Sequence, residues 1–247
     1  MELTEPLQFD HADRRDIYDY VESHGAANAE TVRKSLQMEP RPFGHHVAIL
    51  QRDGMLDRDG DELRIAYEDS ATESFETEDV EFTIRQARQE DLTGLVGAIR
   101  AAIGSGEYVD AETVADVIDS EGVLLRHNAV ESRIFFVACV DDDVVGWVHL
   151  KHPETKKLSH TAELTVGVLV QYRGQGIGAH LLERGTEWAA DQGFEKLYNS
   201  VPSTNRDAID FLEAHGWEVE AVREDHYRLG EDYADEVMLA RTLYSNN

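Results

Sequence analysis

A glycine-rich loop at residues 173–178 constrains the fold of this chain more than any other feature. It reads Arg-Gly-Gln-Gly-Ile-Gly, follows a predicted strand at 163–170 and precedes a predicted amphipathic helix at 178–192. Glycines let a backbone approach a ligand closely, and the first turn of a helix presents several N–H groups and a positive dipole end. We interpret the loop as a phosphate-binding site; the alternative is that its glycines only tighten the corner between strand and helix.

The surroundings of these glycines exclude two common phosphate-binding loops. No Gly-Lys-Ser or Gly-Lys-Thr follows, so the loop is not that of a P-loop nucleotide hydrolase. A dinucleotide-binding loop follows the first strand of a parallel sheet, whereas at least three strands are predicted before this loop, two of them joined by the acidic turn at 141–143. The predicted order β-α-α-β-β-β-α-β-α-β-β gives an α/β fold with a mixed sheet, in which one right-handed crossover joins an antiparallel meander.

Composition divides the chain into three parts. Residues 1–67 contain three helical patterns and a short hairpin, an arrangement that resembles a small winged helix-turn-helix domain. Residues 68–80 are acidic, rich in serine and threonine and poor in apolar side chains, which is typical of a solvated linker. Residues 81–247 begin with an alternating strand and contain the glycine-rich loop, so we expect them to form the larger domain.

This larger domain resembles the GNAT (Gcn5-related N-acetyltransferase) superfamily in four segments that follow the family's order. Residues 83–92 are similar to its opening strand and helix, and 162–182 contain its acetyl-CoA motif, Arg-x-x-Gly-x-Gly. Residues 205–217 are similar to its helix that starts at asparagine and closes on Gly-aromatic, and 235–239 to its last strand. One departure is the Leu-Val pair at 169–170, where many members carry an acidic residue or a proline.

The resemblance implies an N-acetyltransferase of the GNAT fold that uses acetyl-CoA and no metal, and in which a primary amine attacks the thioester directly in a ternary complex. The backbone N–H of Val168 would stabilise the charge that develops on the thioester oxygen, and backbone groups through Leu169 and Val170 would pair with the pantetheine arm. Asn205 would hold the cofactor arm or cap its own helix. The pyrophosphate would lie on the loop residues Arg173, Gly174, Gln175, Gly176, Ile177 and Gly178.

Two side chains are the main candidates for proton transfer in such a reaction. An ammonium substrate must lose a proton, and Glu163 matches a glutamate that some family members carry on this strand. Glu163 could equally be a surface carboxylate; His160 is the second candidate for the base, and Asp225 and His226 are weaker ones. Tyr227 follows the Gly-Trp pair at the spacing where many members place a tyrosine that protonates the departing thiolate, unless it packs as an ordinary strand aromatic.

No other catalytic arrangement is predicted. The eleven histidines and the single cysteine show no zinc-ligand spacing, so we expect no metal site. Cys139 lies in an alternating apolar strand and is expected in the core. The nucleophile motif Gly-x-Ser-x-Gly does not occur.

The acidic composition is better explained by a salt-rich surrounding solution than by a cationic substrate or partner. The chain has 50 acidic and 23 basic side chains, a net charge of −27, and the acids are spread through all predicted elements. Spread charge is typical of a halophile-like surface in a salt-rich cytoplasm, and attraction of a cationic partner is the alternative. A single cysteine, no apolar run long enough to span a bilayer and an N-terminus without an apolar signal segment predict a cytoplasmic protein.

Residues 1–67 leave two functions open for the whole chain. In the first, the protein is an enzyme that acetylates a small-molecule or protein amine, and residues 1–67 are an accessory part that could dock a protein partner. A homodimer is a further option for the assembly. In the second, it is a DNA-binding regulator whose acetyltransferase domain acts locally or senses acetyl-CoA. The third predicted helix and the hairpin carry basic side chains that a DNA-reading domain needs, although acidic residues outnumber basic ones over 1–67. The acceptor amine depends on loops near 104–108, 151–160 and 223–232.

Overall fold

The computed structural model describes most of the chain, namely residues 7–66, 72–77, 79–103, 109–128, 130–153, 155 and 157–243. The expected loop at 104–108 therefore lies outside the described residues. Within the described part, no helix combines the length and the apolar character needed to cross a membrane.

Three helices and three short strands form the first part of the chain: α1 (Ala12–His24), β1 (Ala26–Asn28), α2 (Ala29–Ser35), α3 (Pro40–Arg52), β2 (Leu56–Asp59) and β3 (Glu62–Ile65). The His11 side chain caps the start of α1 by accepting a hydrogen bond from the Asp13 N–H, and Gly25 ends the helix at a positive φ of 72°. The strands form a small sheet with β3 between β1 and β2. Ile17, Leu50 and other apolar side chains close a separate core beneath it.

The three predicted helices and the hairpin are confirmed, and β1 is an element that the pattern did not predict. The winged-helix assignment itself stays a prediction.

The second part consists of nine strands and four helices: β4 (Glu73–Glu76), β5 (Glu81–Gln86), α4 (Leu92–Ile103), α5 (Val109–Glu121), β6 (Arg126–His127), β7 (Glu131–Val140), β8 (Asp143–Pro153), β9 (Thr161–Val168), α6 (Ile177–Asp191), β10 (Lys196–Pro202), α7 (Arg206–Ala214), β11 (Glu218–Leu229) and β12 (Asp232–Thr242). The sheet order is β11-β12-β10-β9-β8-β7-β5-β4, and β6 pairs with β7 outside this path. The β9–β10 pair is parallel and the other pairs are antiparallel, which confirms the predicted mixed sheet.

The prediction of a solvated linker is wrong for residues 73–76. They form β4, which pairs with β5 at the edge of the large sheet. The physical reason is Phe75, whose ring stacks on Phe82 at 5.2 Å between centroids and packs against the core. A single well-placed aromatic side chain thus orders a segment whose composition is otherwise polar.

Two apolar cores cover the two faces of the large sheet. On one face, Leu181 of α6 and Leu212 of α7 pack against inward-facing residues of β7, β8 and β9. On the other face, Leu95 of α4 and Ala115 of α5 pack around Trp147 of β8. Since side chains alternate along a strand, residues of β9 with odd numbers lie on the α4–α5 face.

The two parts of the chain contact each other between α1 and the β6 hairpin. The Tyr18 hydroxyl donates a hydrogen bond of 3.1 Å to the His127 carbonyl. The buried Glu22 carboxylate accepts hydrogen bonds from the Arg126 guanidinium, the His127 N–H and the Asn128 side chain. This polar network ties α1 to the sheet of the second part.

Candidate active site

A gap opens in the large sheet between the parallel strands β9 and β10. The two strands are paired only at their beginnings, from Lys196 opposite Thr161 to Tyr198 opposite Glu163. Beyond this point β9 continues to Val168 with β8 on its other side, while β10 continues with β12. Glu163 therefore marks the apex at which the strands separate.

The edge of β9 that faces this gap carries backbone donors. The Leu169 N–H donates to Val145 on the β8 side, whereas the Leu164 carbonyl accepts a hydrogen bond of 2.6 Å from the Asn199 side chain on the β10 side. Because successive residues of a strand point their backbone groups to alternate edges, the N–H groups of Val166 and Val168 face the gap. Backbone donors at the edge of an open strand are available to a ligand that takes the place of a strand.

The glycine-rich loop lies where β9 leads into α6. A short 3₁₀ turn precedes it at Val170–Tyr172, and Gly174 and Gly176 adopt positive φ angles of 78° and 82°. Gly176 is the N-cap of α6, and no side chain caps the helix there. Side chains are disfavoured at such φ angles, and an uncapped N-terminus offers its first N–H groups and its dipole to an anion. The local geometry is therefore suited to phosphate.

Arg173 lines the gap beside this helix N-terminus. Its Nε donates a hydrogen bond of 3.0 Å to the Val168 carbonyl, and one terminal nitrogen lies 3.4 Å from the Ala102 carbonyl. These contacts hold the guanidinium across the end of β9. The cation predicted to lie beside a pyrophosphate is thus located next to the loop.

A cleft of about 520 Å³ joins the gap, the loop and the N-termini of α5 and α7. Six of the residues predicted to hold the cofactor line it: Val168, Arg173, Gly174, Gly176, Gly178 and Asn205. Asn205 is buried, and its side chain also accepts a hydrogen bond of 3.2 Å from the Ala208 N–H. It therefore caps α7 and lines the cleft, so the two roles predicted for it are compatible.

The other predicted cofactor residues are close to the cleft without lining it. Ile177 points its side chain into the core, where it is almost fully buried. Leu169, Val170 and Gln175 belong to the turn and loop around the cleft. These four residues would contact a ligand in the cleft mainly through their backbone groups.

Trp147 shapes the wall of the cleft on the α4–α5 face. A Cβ placed on Gly167 would overlap the Trp147 ring, so the glycine on β9 is what allows the indole to lie across the sheet. The indole is 1% exposed and lines the cleft, and its Nε1–H has no hydrogen-bond partner among the described residues. A buried donor without a partner is costly, which suggests that this wall is completed by a bound molecule.

Asp110, which no sequence pattern indicates, lines the cleft and interacts electrostatically with both predicted catalytic residues, Glu163 and Tyr227. It lies in the first turn of α5, is partly buried and lines the cleft. Burial raises its pKa to about 6, with further contributions from Glu163 and Glu236 and an opposing one from His226. No motif could have found it, because its importance comes from residues more than 50 positions away.

Tyr227 and Glu163, the two predicted catalytic side chains, both lie near Asp110. Glu163 is exposed at the apex of the gap. Tyr227 is half-buried on β11; burial and the neighbouring carboxylates of Asp110 and Glu236, the latter accepting its hydrogen bond, raise the pKa of its phenol. Neither side chain lines the cleft itself, and Asp110 connects them to it.

The weaker candidates are distributed around the site. His226 Nε2 lies 3.5 Å from the buried Glu236 carboxylate, so it belongs to the same cluster. Asp225 is exposed at a β-bulge of β11, with a positive φ of 51°. The backbone carbonyl of His160 accepts hydrogen bonds from the N–H groups of Glu195 and Lys196 at the start of β10, away from the cleft. His215, which the sequence did not indicate, does line the cleft, with Nδ1 2.7 Å from the Phe211 carbonyl.

A separate group of potential metal ligands lies in the first part of the chain. Asp13, His46 and His11 offer donor atoms within 4.8 Å of one another, with Asp13 Oδ2 at 3.3 Å from His46 Nε2. The His11 Nδ1 lone pair already accepts the Asp13 N–H as the cap of α1. His11 therefore caps the N-terminus of α1, and the three side chains are not among those that line the cleft.

Comparisons with known proteins agree on one family. Residues 107–217 match the model of the family described as "Acetyltransferase (GNAT) family". "Probable N-acetyltransferase san" of Drosophila melanogaster is 32% identical over 108 residues, which are 43% of this chain and 58% of that protein. N-alpha-acetyltransferase 50 of Danio rerio is 29% identical over 110 residues, 44% of this chain and 65% of that protein. The chain thus spans less than two thirds of the length of both relatives.

Solved structures share the fold of about two thirds of the chain. The Salmonella typhimurium protein yncA, solved with its cofactor acetyl-CoA, has a TM-score of 0.55 at 18% identity and covers 67% of this chain and 96% of its own. A GCN5-related N-acetyltransferase from Kribbella flavida has a TM-score of 0.54 at 23% identity, covering 66% of this chain and 98% of its own.

Proposed function

The chain contains an acetyltransferase domain of the GNAT family, and from this premise we propose that it transfers the acetyl group of acetyl-CoA to a primary amine by direct attack in a ternary complex. The observation that carries the proposal is the open edge of β9 directly before an uncapped helix N-terminus. The open edge of β9 suits an extended arm that contains amides, and the uncapped helix N-terminus suits a pyrophosphate. Acetyl-CoA contains both groups in that order, and it is the cofactor solved with the similar yncA protein.

The cofactor contacts follow from the backbone. Pantetheine amides would pair with the exposed edge of β9 and with the turn at Leu169 and Val170, in the way that an added strand pairs with a sheet edge. The pyrophosphate would take the N–H groups of the loop from Gly174 to Gly178, with Gln175 and Ile177 contributing through the backbone, and Arg173 would add a positive charge. Asn205 would close the cleft from the α7 side.

The Val168 N–H is proposed to stabilise the thioester oxygen as it becomes an oxyanion. This donor faces the gap and belongs to a strand that is fixed on its other side by β8, so it does not need to reorganise during the reaction. Positioning of the two substrates in one cleft would supply much of the remaining rate acceleration.

Proton transfers require two further groups. An amine arrives protonated and must transfer a proton to a base. The sequence indicates Glu163 for this role, and its side chain is exposed at the apex of the gap. The departing thiolate must gain a proton or a hydrogen bond, and Tyr227 is proposed for this step. Its raised pKa keeps the phenol protonated over the whole physiological range, as a proton donor requires.

The proposal is tested by measuring acetyl-CoA binding by calorimetry and thiol release with a panel of amines. Gly176→Ala places a side chain at a φ of 82° in the loop and should raise the KM for acetyl-CoA about tenfold, or about 1.4 kcal/mol. Gly54→Ala is a matched control, because Gly54 also has a positive φ, of 68°, and open space around it but lies far from the cleft. No thiol release with any amine, despite acetyl-CoA binding, would reject the enzymatic proposal.

DNA binding by residues 1–67 is the alternative, and it has less support from the charges. Arg58 lies 3.4 Å from Asp61, Arg64 lies 2.9 Å from Asp57, and these hairpin arginines are therefore compensated by neighbouring acids. Phosphate binding depends on uncompensated cations and weakens steeply with salt. A band shift of genomic fragments at the salt concentration of the cell would favour this alternative over the enzymatic one.

A further inference from the structure

Asp110 and Asp207 are the acidic residues among the described ones that line the cleft, and of these two Asp110 is the neighbour of Tyr227. It lies in the first turn of α5 and lines the cleft, and it is close enough to the half-buried Tyr227 to raise the pKa of that phenol. Trp147, Gly167 and the glycine-rich loop line the same cleft. A group that bridges the cleft and the tyrosine is well located to contact the amine.

The surroundings of Asp110 are strongly acidic. The titratable and charged groups that face it come from β9, β11 and β12, and they are Glu163, Arg223, His226, Tyr227 and Glu236. The one arginine in this set is occupied, because Arg223 Nη1 lies 2.9 Å from the Glu236 carboxylate, which is only 5% exposed. Within the described part of the chain, neither Asp110 nor Glu163 forms an ion pair with a lysine or an arginine.

A carboxylate in such surroundings binds a proton more tightly than one in water. Burial and the negative charges of Glu163 and Glu236 disfavour the ionised form of Asp110, which raises its pKa to about 6. A base of this pKa is mostly ionised at neutral pH and still accepts a proton readily. The exposed Glu163 lacks this burial, so its main effect is electrostatic and acts on Asp110.

We propose that Asp110 receives the ammonium group of the acceptor and takes its proton, and that the surrounding carboxylates select acceptors without a carboxylate beside the amine. The inference rests on the proposed acetyl transfer, and it moves the role of the base from Glu163 to Asp110. Glu163 becomes a positioning residue that tunes Asp110 and attracts the cation.

The reaction balances in three steps. The ammonium gives one proton to the Asp110 carboxylate and becomes a neutral amine. The amine lone pair forms an N–C bond to the thioester carbon, and the C–S bond then breaks with its electron pair on sulfur. The nitrogen then loses its second proton and the CoA thiolate gains one. Asp110 releases the proton that it took from the ammonium to solvent.

Acceptor selectivity follows from the same charges. An amine with an adjacent carboxylate would bring a negative group towards Asp110 and Glu163, and Arg223, the arginine that acts on Tyr227, is already paired with Glu236. Like charges in a partly buried site repel strongly. We therefore expect tyramine to be a better acceptor than tyrosine, and agmatine a better one than arginine, by about tenfold or more in kcat/KM.

The first test is the pH dependence of kcat/KM for tyramine in three variants. Asp110→Asn should lower kcat/KM about a hundredfold near pH 8 and remove the rise of activity through about pH 6. Glu112→Gln is the matched control, since Glu112 is an exposed acid in the same first turn of α5, and its profile should equal that of the wild type. Glu163→Gln should lower kcat/KM much less than Asp110→Asn does and shift the rise to lower pH, because it removes a negative neighbour of Asp110.

The results that would overturn the role of Asp110 differ from those that would reject acetyl transfer. If Glu163→Gln loses the rate and Asp110→Asn keeps both rate and pH profile, Glu163 is the base and the inference is overturned while acetyl transfer stands. A folded Asp110→Asn protein, verified by circular dichroism and by unchanged acetyl-CoA affinity, excludes a structural explanation.

The second test measures binding and does not depend on turnover. Calorimetry with the CoA-loaded protein should show tyramine binding about tenfold tighter than tyrosine, and Asp110→Asn should remove this difference. Equal binding of the two compounds, or binding of neither, would overturn the inference. Tyramine binding without thiol release would support the acidic acceptor site and reject the proposed transfer, so the two failures are separable.

Discussion

Replacing Glu22 by alanine should measure how strongly the two parts of the chain stabilise each other. The Glu22 side chain is 6% exposed, and it accepts hydrogen bonds from Arg126 at 3.0 Å, from Asn128 at 2.9 Å and from the His127 N–H at 3.3 Å. All three donors belong to the second part of the chain, whereas Glu22 belongs to α1. Its removal leaves them without this acceptor in a region that excludes water.

The size of the effect follows from these contacts. Removing one partner of a buried ion pair costs about 3–5 kcal/mol. Arg126 keeps a second acceptor, because its Nε lies 3.1 Å from the Glu121 carboxylate, so the lower end applies. We expect a loss of about 3 kcal/mol in the free energy of unfolding, which for a chain of this size corresponds to a decrease in Tm of about 6–12 °C.

Differential scanning calorimetry and urea denaturation followed by circular dichroism provide the measurement. Glu187→Ala is the matched control, because Glu187 is exposed on α6 and its replacement should change Tm by less than about 2 °C. The Tm of Glu22→Gln should lie between those of the two alanine variants, since an amide keeps one acceptor oxygen and loses the charge. If Glu22→Ala unfolds like the control, or if only α1 to β3 melts early while the second part keeps its Tm, the network does not couple the two parts as inferred.

Three further outcomes test the site and the buried charges. Tyr227→Phe should lower kcat about a hundredfold and leave the KM for acetyl-CoA nearly unchanged, and an unchanged kcat in steady-state assays would remove Tyr227 from the mechanism. Gly167→Ala should force the Trp147 ring out of position and cost about 1–3 kcal/mol in urea denaturation, together with most of the activity; a variant of wild-type stability and rate would contradict the described wall of the cleft. Burial lowers the pKa of His127 to about 4 and that of His149 to about 3. Because unfolded histidine binds a proton near pH 6.5, the free energy of unfolding should be highest above about that pH and fall as the pH drops towards 4, which a urea series at several pH values would detect.

The glycine-rich loop illustrates what the sequence could predict. Its glycines at 174 and 176 adopt the left-handed conformation that their residue type permits, and the uncapped α6 begins directly after them. Such features are local, because a strand, a loop and a helix that are neighbours in sequence are also neighbours in space. The mixed sheet followed for the same reason, since most of its strands and the helices between them were visible in their own periodicity.

Asp110 illustrates what the sequence could not predict. Nothing in the pattern around it distinguishes it from Glu112 two positions further along α5 or from the many other acids of the chain. Its properties depend on Glu163 and Glu236, which reach it only through the pairing of β9, β10 and β12. β4 was missed because its segment is polar overall, and its order depends on pairing with β5 and on the contact of Phe75 with Phe82.

The net charge of −27 and the two ends of the cleft lead to a last prediction about salt. Acetyl-CoA is a polyanion, so the overall field of the protein repels it, while short-range backbone donors and Arg173 attract it locally. A cationic acceptor is attracted both by the overall field and by Asp110. Raising KCl from about 0.1 M to about 1 M shortens the Debye length from about 10 Å to about 3 Å.

This screening should lower the KM for acetyl-CoA, because long-range repulsion is lost while the short backbone contacts persist. It should raise the KM for tyramine, because long-range attraction is lost. Steady-state kinetics at matched pH would show the two constants moving in opposite directions, and Asp110→Asn should reduce the salt dependence for tyramine alone. Movement of both constants in the same direction would mean that salt acts on the stability of the fold and not on two oppositely charged ends of one cleft.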